Sequence, residues 1–131
     1  MIILDASAAI ELLLDTETGA AVRRRVVADG VLGAPHLLDV EVGQALRRFE
    51  RGGAIDGPRA LAALADLGDL VTTRYPHTAL LPRMWELRAN LTFCDAAYVA
   101  LAEALASPLV TCDAKLAGAP GHRARVELLP R

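Results

Sequence analysis

Residues 1–14 read MIILDASAAIELLL and contain the change of pattern that decides the fold. The apolar residues at positions 2–4 predict a short buried strand, and the next apolar residues recur with helical periodicity over residues 6–14. Asp5 lies between the two elements. A strand followed at once by a helix is typical of the start of an α/β fold.

The same alternation continues along the rest of the chain, and Pro35 is expected to start the third helix. Further helices are predicted over residues 18–28, 36–51, 58–67, 82–89 and 95–106, with a helical turn at 114–117, and further strands at 31–34, 70–73, 109–111 and 126–129. Strands that alternate with helices predict an α/β fold with a central, mostly parallel sheet of about four to five strands flanked by helices. A length of 131 residues without an internal repeat or linker favours one domain over residues 1–131.

The composition limits the function classes. Charged residues interrupt every apolar run before it reaches the length of a membrane span, and we expect no membrane segment. The N-terminus lacks the features of a secretory signal, and two cysteines fit a reducing compartment, so a cytoplasmic location is expected. A formal net charge of −2 excludes a globally basic nucleic-acid binder, so any polyanion has to be held locally.

Three aspartates occupy places where an α/β sheet binds ligands. Asp5 and Asp113 each follow a predicted strand, and Asp95 starts the helix over residues 95–106. In open α/β sheets, ligands bind beyond the carboxyl ends of the strands. Each aspartate taken alone is equally well explained as a helix N-cap, which this residue type favours.

Glu41 is harder to explain as a structural residue. At helical spacing it shares a face with Leu37, Leu38, Ala45 and Phe49. A charged glutamate that faces the core is unfavourable by several kcal/mol unless it gains a partner. The sequence leaves three solutions open, which are an arginine partner, a raised pKa or a bound metal ion.

Asp5, Glu41, Asp95 and Asp113 together suit a hard divalent cation. No histidine or cysteine has the spacing of a zinc site, and carboxylate oxygens are preferred ligands of Mg²⁺ and Mn²⁺. Such a site can align a water molecule and stabilise the charge of an in-line attack on phosphate.

Four segments carry a family resemblance. The stretches NLTFCDAAYVALAEAL and LVTCDAKLAGA, together with MIILDASAAIELLL and the glutamate of HLLDVEVGQALRR, resemble the PIN-domain ribonucleases of the VapC toxin type. The resemblance extends over essentially the whole chain, and the four acids follow the order Asp, Glu, Asp, Asp of that family.

This resemblance implies a function for specific residues. Asp5, Glu41, Asp95 and Asp113 would bind Mg²⁺ or Mn²⁺ in a site that hydrolyses RNA and leaves a 5′-phosphate. Thr111 and Ser7 match supporting polar residues of the family. The resemblance further implies a homodimer and a small cognate antitoxin, similar to VapB, that blocks the groove. Some relatives carry a further acid where this chain has Lys115, which leaves open whether one or two ions bind.

Several other residues are weaker candidates for contacts to RNA. Arg88 precedes Asp95 by seven residues and is a candidate RNA contact, whereas Trp85 and Tyr98 are expected in the core or a dimer contact rather than under RNA bases. The arginine runs at residues 23–25 and 47–48 could contact an RNA backbone, but charge runs of this kind are usually solvated helix faces.

The two cysteines suggest a separate hypothesis. Cys94 and Cys112 each precede a proposed metal ligand, so their oxidation is a further hypothesis for perturbing the site. The sequence makes no stronger statement about them.

Two alternatives remain at this point. A receiver-like or phosphatase-like domain for phosphoryl transfer needs a second acid close to Asp5, but the next residues are Ala6, Ser7 and Ala8. The other alternative is a catalytically silent binding module with the same fold, against which the presence of all four acids argues.

Overall fold

The computed structural model describes residues 1–131 and contains one five-stranded sheet in the order β3-β2-β1-β4-β5, with every strand pair parallel. The strands are β1 (Ile2–Leu4), β2 (Leu32–Pro35), β3 (Thr72–Tyr75), β4 (Leu109–Thr111) and β5 (Val126–Leu128). The predicted α/β fold is therefore confirmed, and the sheet is wholly rather than mostly parallel.

Seven helices flank the sheet. They are α1 (Ala6–Leu13), α2 (Glu17–Asp29), α3 (Leu37–Arg51), α4 (Gly57–Asp69), α5 (Leu81–Glu86), α6 (Phe93–Ala104) and α7 (Ala114–Gly118), and a 3₁₀ turn precedes α5 at Thr78–Leu80. None of the helices combines the length and the apolar content required to cross a lipid bilayer.

The core is centred on β1 and α6. All three residues of β1 are inaccessible to solvent, as expected for the middle strand of a covered parallel sheet. Helix α6 is buried without interruption from Ala96 to Leu101 and packs against β1, β2 and β4. Because β1 and β4 are neighbours in register, with Leu4 opposite Val110, the residues that follow them meet at one edge of the sheet.

Four predicted boundaries were wrong for identifiable reasons. The strand expected at 70–73 begins at Thr72, because Leu70 is still used as the C-cap of α4. Pro35 ends β2 instead of starting a helix. The helix expected at 82–89 already ends at Glu86. The fourth is the start of α6, and the remaining ends agree with the predictions to within two residues.

The start of α6 changes the interpretation of Asp95. The helix begins at Phe93 because the Thr92 hydroxyl caps it, accepting a hydrogen bond from the Asp95 amide at 3.1 Å. Asp95 is therefore the third residue of the helix and not its N-cap. Its carboxylate is not used for capping.

Candidate active site

A cleft of about 620 Å³ at the carboxyl edge of the sheet is lined by all four predicted acids. Asp5 follows β1, Asp113 follows β4, Glu41 lies on α3 and Asp95 on α6. Four separate elements thus bring these carboxylates to one place. No three of the acidic side chains are arranged as a complete set of metal ligands, so they line a shared cleft without forming a closed cage.

Asp5 is held by three hydrogen bonds although it is almost fully buried, with 4% of its surface exposed. Its Oδ1 accepts from the Ser7 hydroxyl at 2.7 Å and from the Ala8 amide at 3.0 Å, and its Oδ2 accepts from the Thr111 hydroxyl at 2.7 Å. The Ala8 bond makes Asp5 the N-cap of α1, as one interpretation of the sequence predicted. Burial raises its pKa, against the opposing effect of these donors.

Ser7 and Thr111 are each fixed from two sides. The Ser7 oxygen accepts from the Cys112 amide at 3.0 Å, and the Thr111 oxygen accepts from the Asp113 amide at 3.0 Å. Each hydroxyl has a single proton, and in each case that proton is donated to Asp5. The two hydroxyls therefore link the Asp5 carboxylate to backbone amides at the end of β4 and fix its orientation.

Glu41 has no ion pair in the structure. Its Oε1 is buried without a hydrogen-bond partner, and so is the hydroxyl of Tyr98. The two groups are close enough for the phenol to favour the charged carboxylate, but the contact falls short of a hydrogen bond. Burial raises the pKa of Glu41, and the charges of Asp95 and Asp5 add to this. The expected alternative of a buried arginine partner is therefore wrong.

Asp95 and Asp113 complete the acidic set. Burial raises the pKa of Asp95, and the nearby charge of Asp113 raises it further, against the Thr92 hydrogen bond. The Asp113 side chain caps α7 by accepting from the Lys115 amide at 2.9 Å. One oxygen of Asp113 is thus engaged in capping.

The charge balance of the cleft favours a cation. Five carboxylates line it, the four predicted acids and Glu11, against two guanidinium groups, those of Arg48 and Arg131. Carboxylates that raise one another's pKa are destabilised by their own charge, and a divalent cation removes that penalty. The donor set consists of oxygens, and one of them, Glu41 Oε1, is buried without a partner. These residues fit a hard cation such as Mg²⁺ or Mn²⁺.

Arg88 does not belong to this cleft. Its guanidinium stacks over the Trp85 ring at 4.3 Å from the centroid and donates to the Trp85 carbonyl at 2.8 Å. The structure therefore gives no support to Arg88 as an RNA contact. Trp85 is 60% exposed and so lies outside the core, which leaves the dimer contact as the remaining prediction for it, whereas Tyr98 is buried in the core as expected.

Both cysteines are free thiols, Cys94 exposed in the cleft and Cys112 buried. Burial raises the pKa of Cys94, and it raises the pKa of Cys112 to about 11. Neither thiol is activated for oxidation by a lowered pKa, which weakens the redox hypothesis.

Some residues that line the cleft were not predicted to do so from the sequence. Gln44, Arg48 and Phe49 lie on the cleft side of α3, together with Glu41. Helical spacing could have found Arg48, because it follows Glu41 by seven residues, two turns of an α-helix. Arg131 and Glu11 approach through tertiary folding, with 3.3 Å between Arg131 Nε and Glu11 Oε1, and no local pattern predicts that contact.

Comparisons with known proteins agree with this fold. The family model of the PIN domain matches residues 2–121. The chain is 44% identical over 128 residues to Ribonuclease VapC1 of Mycobacterium tuberculosis, which covers 97% of this chain and 96% of that protein. It is 45% identical to Ribonuclease VapC9 of the same species over a 134-residue alignment that covers both chains fully.

Two solved structures have the same fold. PAE2754 from Pyrobaculum aerophilum superposes with a TM-score of 0.66 at 30% identity, covering 88% of this chain and 76% of that one. Mycobacterium tuberculosis VapC20, described as a sarcin-ricin loop cleaving toxin, superposes with a TM-score of 0.67 at 21% identity, covering 94% and 99%. At that identity the second likeness concerns the fold alone.

An all-parallel α/β domain with four acids at the carboxyl edge of its sheet agrees with the match to the PIN-domain model, and the chain belongs to the PIN-domain family. Within this family it is of the VapC type, since the near full-length identities are to VapC ribonucleases. The resemblance stated from the sequence is thus confirmed, and the receiver-like and phosphatase-like alternatives are set aside.

Proposed function

We propose that this protein is a divalent-metal-dependent endoribonuclease that acts as a toxin and is neutralised by a cognate antitoxin. The observation that carries the proposal is Glu41, whose carboxylate is partly buried in an acidic cleft without an ion pair and has one oxygen, Oε1, that no hydrogen bond satisfies. An unpaired buried carboxylate is unfavourable for folding, so its presence here favours a role in binding a cation. The names of the VapC relatives support RNA as the substrate.

Four residues would hold Mg²⁺ or Mn²⁺, namely Asp5, Glu41, Asp95 and Asp113. When bound, the ion would supply charge stabilisation for the phosphorane-like transition state and a lowered pKa for an attacking water. Ser7 and Thr111 orient Asp5 through fixed hydroxyl protons. Asp95 presents its carboxylate from the first turn of α6, where the helix dipole favours negative charge. Hydrolysis would leave a 5′-phosphate on the product.

The acids of the cleft keep carboxylate oxygens that are not used in helix capping or ion pairs. Thr92, and not Asp95, is the N-cap of α6. Glu41 has no arginine within ion-pair distance. Asp5 retains part of its acceptor capacity, because three donors occupy fewer than the roughly four lone-pair positions of a carboxylate. The carboxylates therefore keep oxygens available to a ligand.

A homodimer and a small VapB-like antitoxin are the partners that we propose. The apolar side chains that remain exposed outside the core support association with other chains, among them Val40, Leu81, Trp85 and Phe93. A cytoplasmic location remains a prediction from the sequence. Size-exclusion chromatography with light scattering on the protein alone, and after co-expression with the product of any short adjacent reading frame, tests both partners.

The nuclease proposal is tested by incubating purified, antitoxin-free protein with total RNA in Mg²⁺, Mn²⁺ or EDTA. We expect cleavage with either metal, no cleavage in EDTA, and 5′-phosphate ends that accept ligation. Asp95→Asn should abolish cleavage, while Asp66→Asn, an exposed acid on α4 outside the cleft, should leave it unchanged. Equal cleavage by both variants would refute the catalytic assignment, and absence of cleavage by the native protein would favour a silent binding module.

A further inference from the structure

The cleft continues along α3 beyond the acids. Glu41, Gln44, Arg48 and Phe49 all line it, and their spacing places them along one side of the helix. Arg48 lies two turns from Glu41, about 10 Å along the helix axis at a rise of about 1.5 Å per residue. This separation suits a ligand that extends along the cleft, with one part at the acids and a neighbouring part at Arg48.

Arg48 is exposed and makes no ion pair or hydrogen bond through its side chain. Arg131, the other guanidinium of the cleft, is paired with Glu11. Arg48 is therefore the cleft cation that remains free to bind an anion from outside. A guanidinium is well suited to phosphate because its planar donors can form two parallel hydrogen bonds.

Phe49 is the aromatic residue next to Arg48. It is half-buried, lines the cleft, and does not pack against the hydrophobic core of the domain. An aromatic ring held at a cleft wall without a structural role in the core offers a face for an unpaired base. Trp85 cannot serve in this way, since its ring lies outside the cleft.

We propose that Arg48 and Phe49 form a nucleotide-binding subsite for single-stranded RNA, in which Arg48 contacts a backbone phosphate and Phe49 stacks on its base. This proposal depends on the proposed ribonuclease function, because it names the substrate contacts next to that site. It explains how a cleft with more carboxylates than guanidinium groups holds a polyanion. The subsite selects single strands, since bases within a duplex are not free to stack on a protein ring.

The chain provides a matched control for Arg48. Arg47 is the preceding residue of α3, is equally exposed, and carries the same charge, but it lies outside the cleft beside a different groove. Arg47→Ala and Arg48→Ala change the net charge and the helix propensity identically. Any difference between the two variants therefore reports position and not overall electrostatics.

Binding is measured by fluorescence anisotropy with a short, unstructured, 5′-labelled oligoribonucleotide, using the Asp95→Asn background so that no cleavage occurs. Arg48→Ala should weaken binding about tenfold, and the slope of log K against log salt should fall by about 0.7, the value for one phosphate contact on a single strand. Arg47→Ala should change binding by less than about twofold. Phe49→Leu, which keeps an apolar side chain but removes the ring, should weaken binding by about fivefold or more.

Several outcomes decide the proposal. Equal losses in Arg47→Ala and Arg48→Ala, undiminished binding of a labelled RNA duplex, or no RNA binding at all would overturn it. A loss of antitoxin binding in Arg48→Ala with unchanged RNA binding would also overturn it, in favour of a protein contact. If the native protein leaves total RNA intact with every metal while the position-specific binding losses persist, the subsite stands and the nuclease proposal fails.

Discussion

Glu41 and Glu103 are both glutamates on helices with carboxylates largely withdrawn from solvent, but their surroundings are opposite. The side chain of Glu103 on α6 is 5% exposed and forms a bidentate ion pair with Arg83, with Nε–Oε1 at 2.8 Å and Nη2–Oε2 at 3.0 Å. The Arg123 amide adds a third donor at 2.7 Å. Glu41 on α3 has no ion pair, and its buried Oε1 has no hydrogen-bond partner.

The pKa values follow this difference. The Arg83 guanidinium lowers the pKa of Glu103, whereas burial raises the pKa of Glu41. The fold is thus able to supply a cation to a buried glutamate and does so where the carboxylate has a structural role. At the cleft it leaves the four predicted acids without an ion pair. This contrast supports the interpretation that the cation at the cleft comes from outside the chain.

The largest effect is expected from Glu41→Gln. Removal of the charge should reduce RNA cleavage by about a thousandfold, because electrostatic stabilisation of phosphate chemistry depends on the full ligand set. The free energy of unfolding without metal should stay equal or rise by up to about 1 kcal/mol, since an unpaired buried charge is lost. Cleavage assays and urea denaturation in EDTA measure the two effects. Glu50→Gln, an exposed position on the same helix, is the control, and a destabilised Glu41→Gln protein would contradict the comparison.

Arg83→Met should have the reverse profile. The substitution leaves Glu103 without its main partner and should lower the free energy of unfolding by about 2 kcal/mol, less than a fully buried pair because Arg83 is 26% exposed. Cleavage per folded molecule should be unchanged. Arg23→Met is the control. It removes an equally direct ion pair to Asp15 in which both side chains are mostly exposed, and such a pair contributes less than about 1 kcal/mol. Similar losses in both variants would show that burial is not the deciding factor.

Asp5 represents an intermediate case, a buried carboxylate held by neutral donors. Thr111→Val removes the donor to Oδ2 and the acceptor of the Asp113 amide with little change in shape. Mg²⁺ affinity should fall by about tenfold or more, as is usual when a residue that orients a metal ligand is lost. Isothermal titration calorimetry measures this effect. Thr72→Val is the matched control, because the Thr72 hydroxyl is buried without a partner outside the cleft, and its loss should not affect Mg²⁺ binding.

The sequence predicted the order of strands and helices because hydrophobic periodicity is a local property, and it predicted the four acids because three of them lie at or near ends of elements. It also indicated that Glu41 needed a partner, but only the structure shows that no arginine reaches it. The sequence did not indicate that Thr92 caps α6, so capping stayed open as an alternative role for Asp95, and the structure removes that alternative.

Arg88 shows the limit of arguments from proximity in sequence. It lies close to the Asp95 motif along the chain, but the turn after α5 directs its side chain over Trp85 instead of into the cleft. Arg48 was grouped with Arg47 as a charge run, and only the orientation of α3 distinguishes the two. Side-chain direction at a site formed by four elements depends on tertiary packing, which residue spacing does not encode.

The smallest expected effect is the pH dependence of the Glu103 pair. Because the pKa of Glu103 is lower in the folded state than its usual value of 4.5, folding is favoured by its ionisation above that value, and this contribution is lost as the pH falls through the folded-state pKa. The stability difference between the native protein and Arg83→Met should therefore be constant near neutral pH and become smaller below about pH 4.5. Urea denaturation at a series of pH values measures it, with Glu103→Gln as the variant that cannot titrate at this position. A difference that stays constant into acid would mean that Arg83 stabilises the fold by packing of its stem and not through the carboxylate, and the contrast with Glu41 would then lose its electrostatic basis.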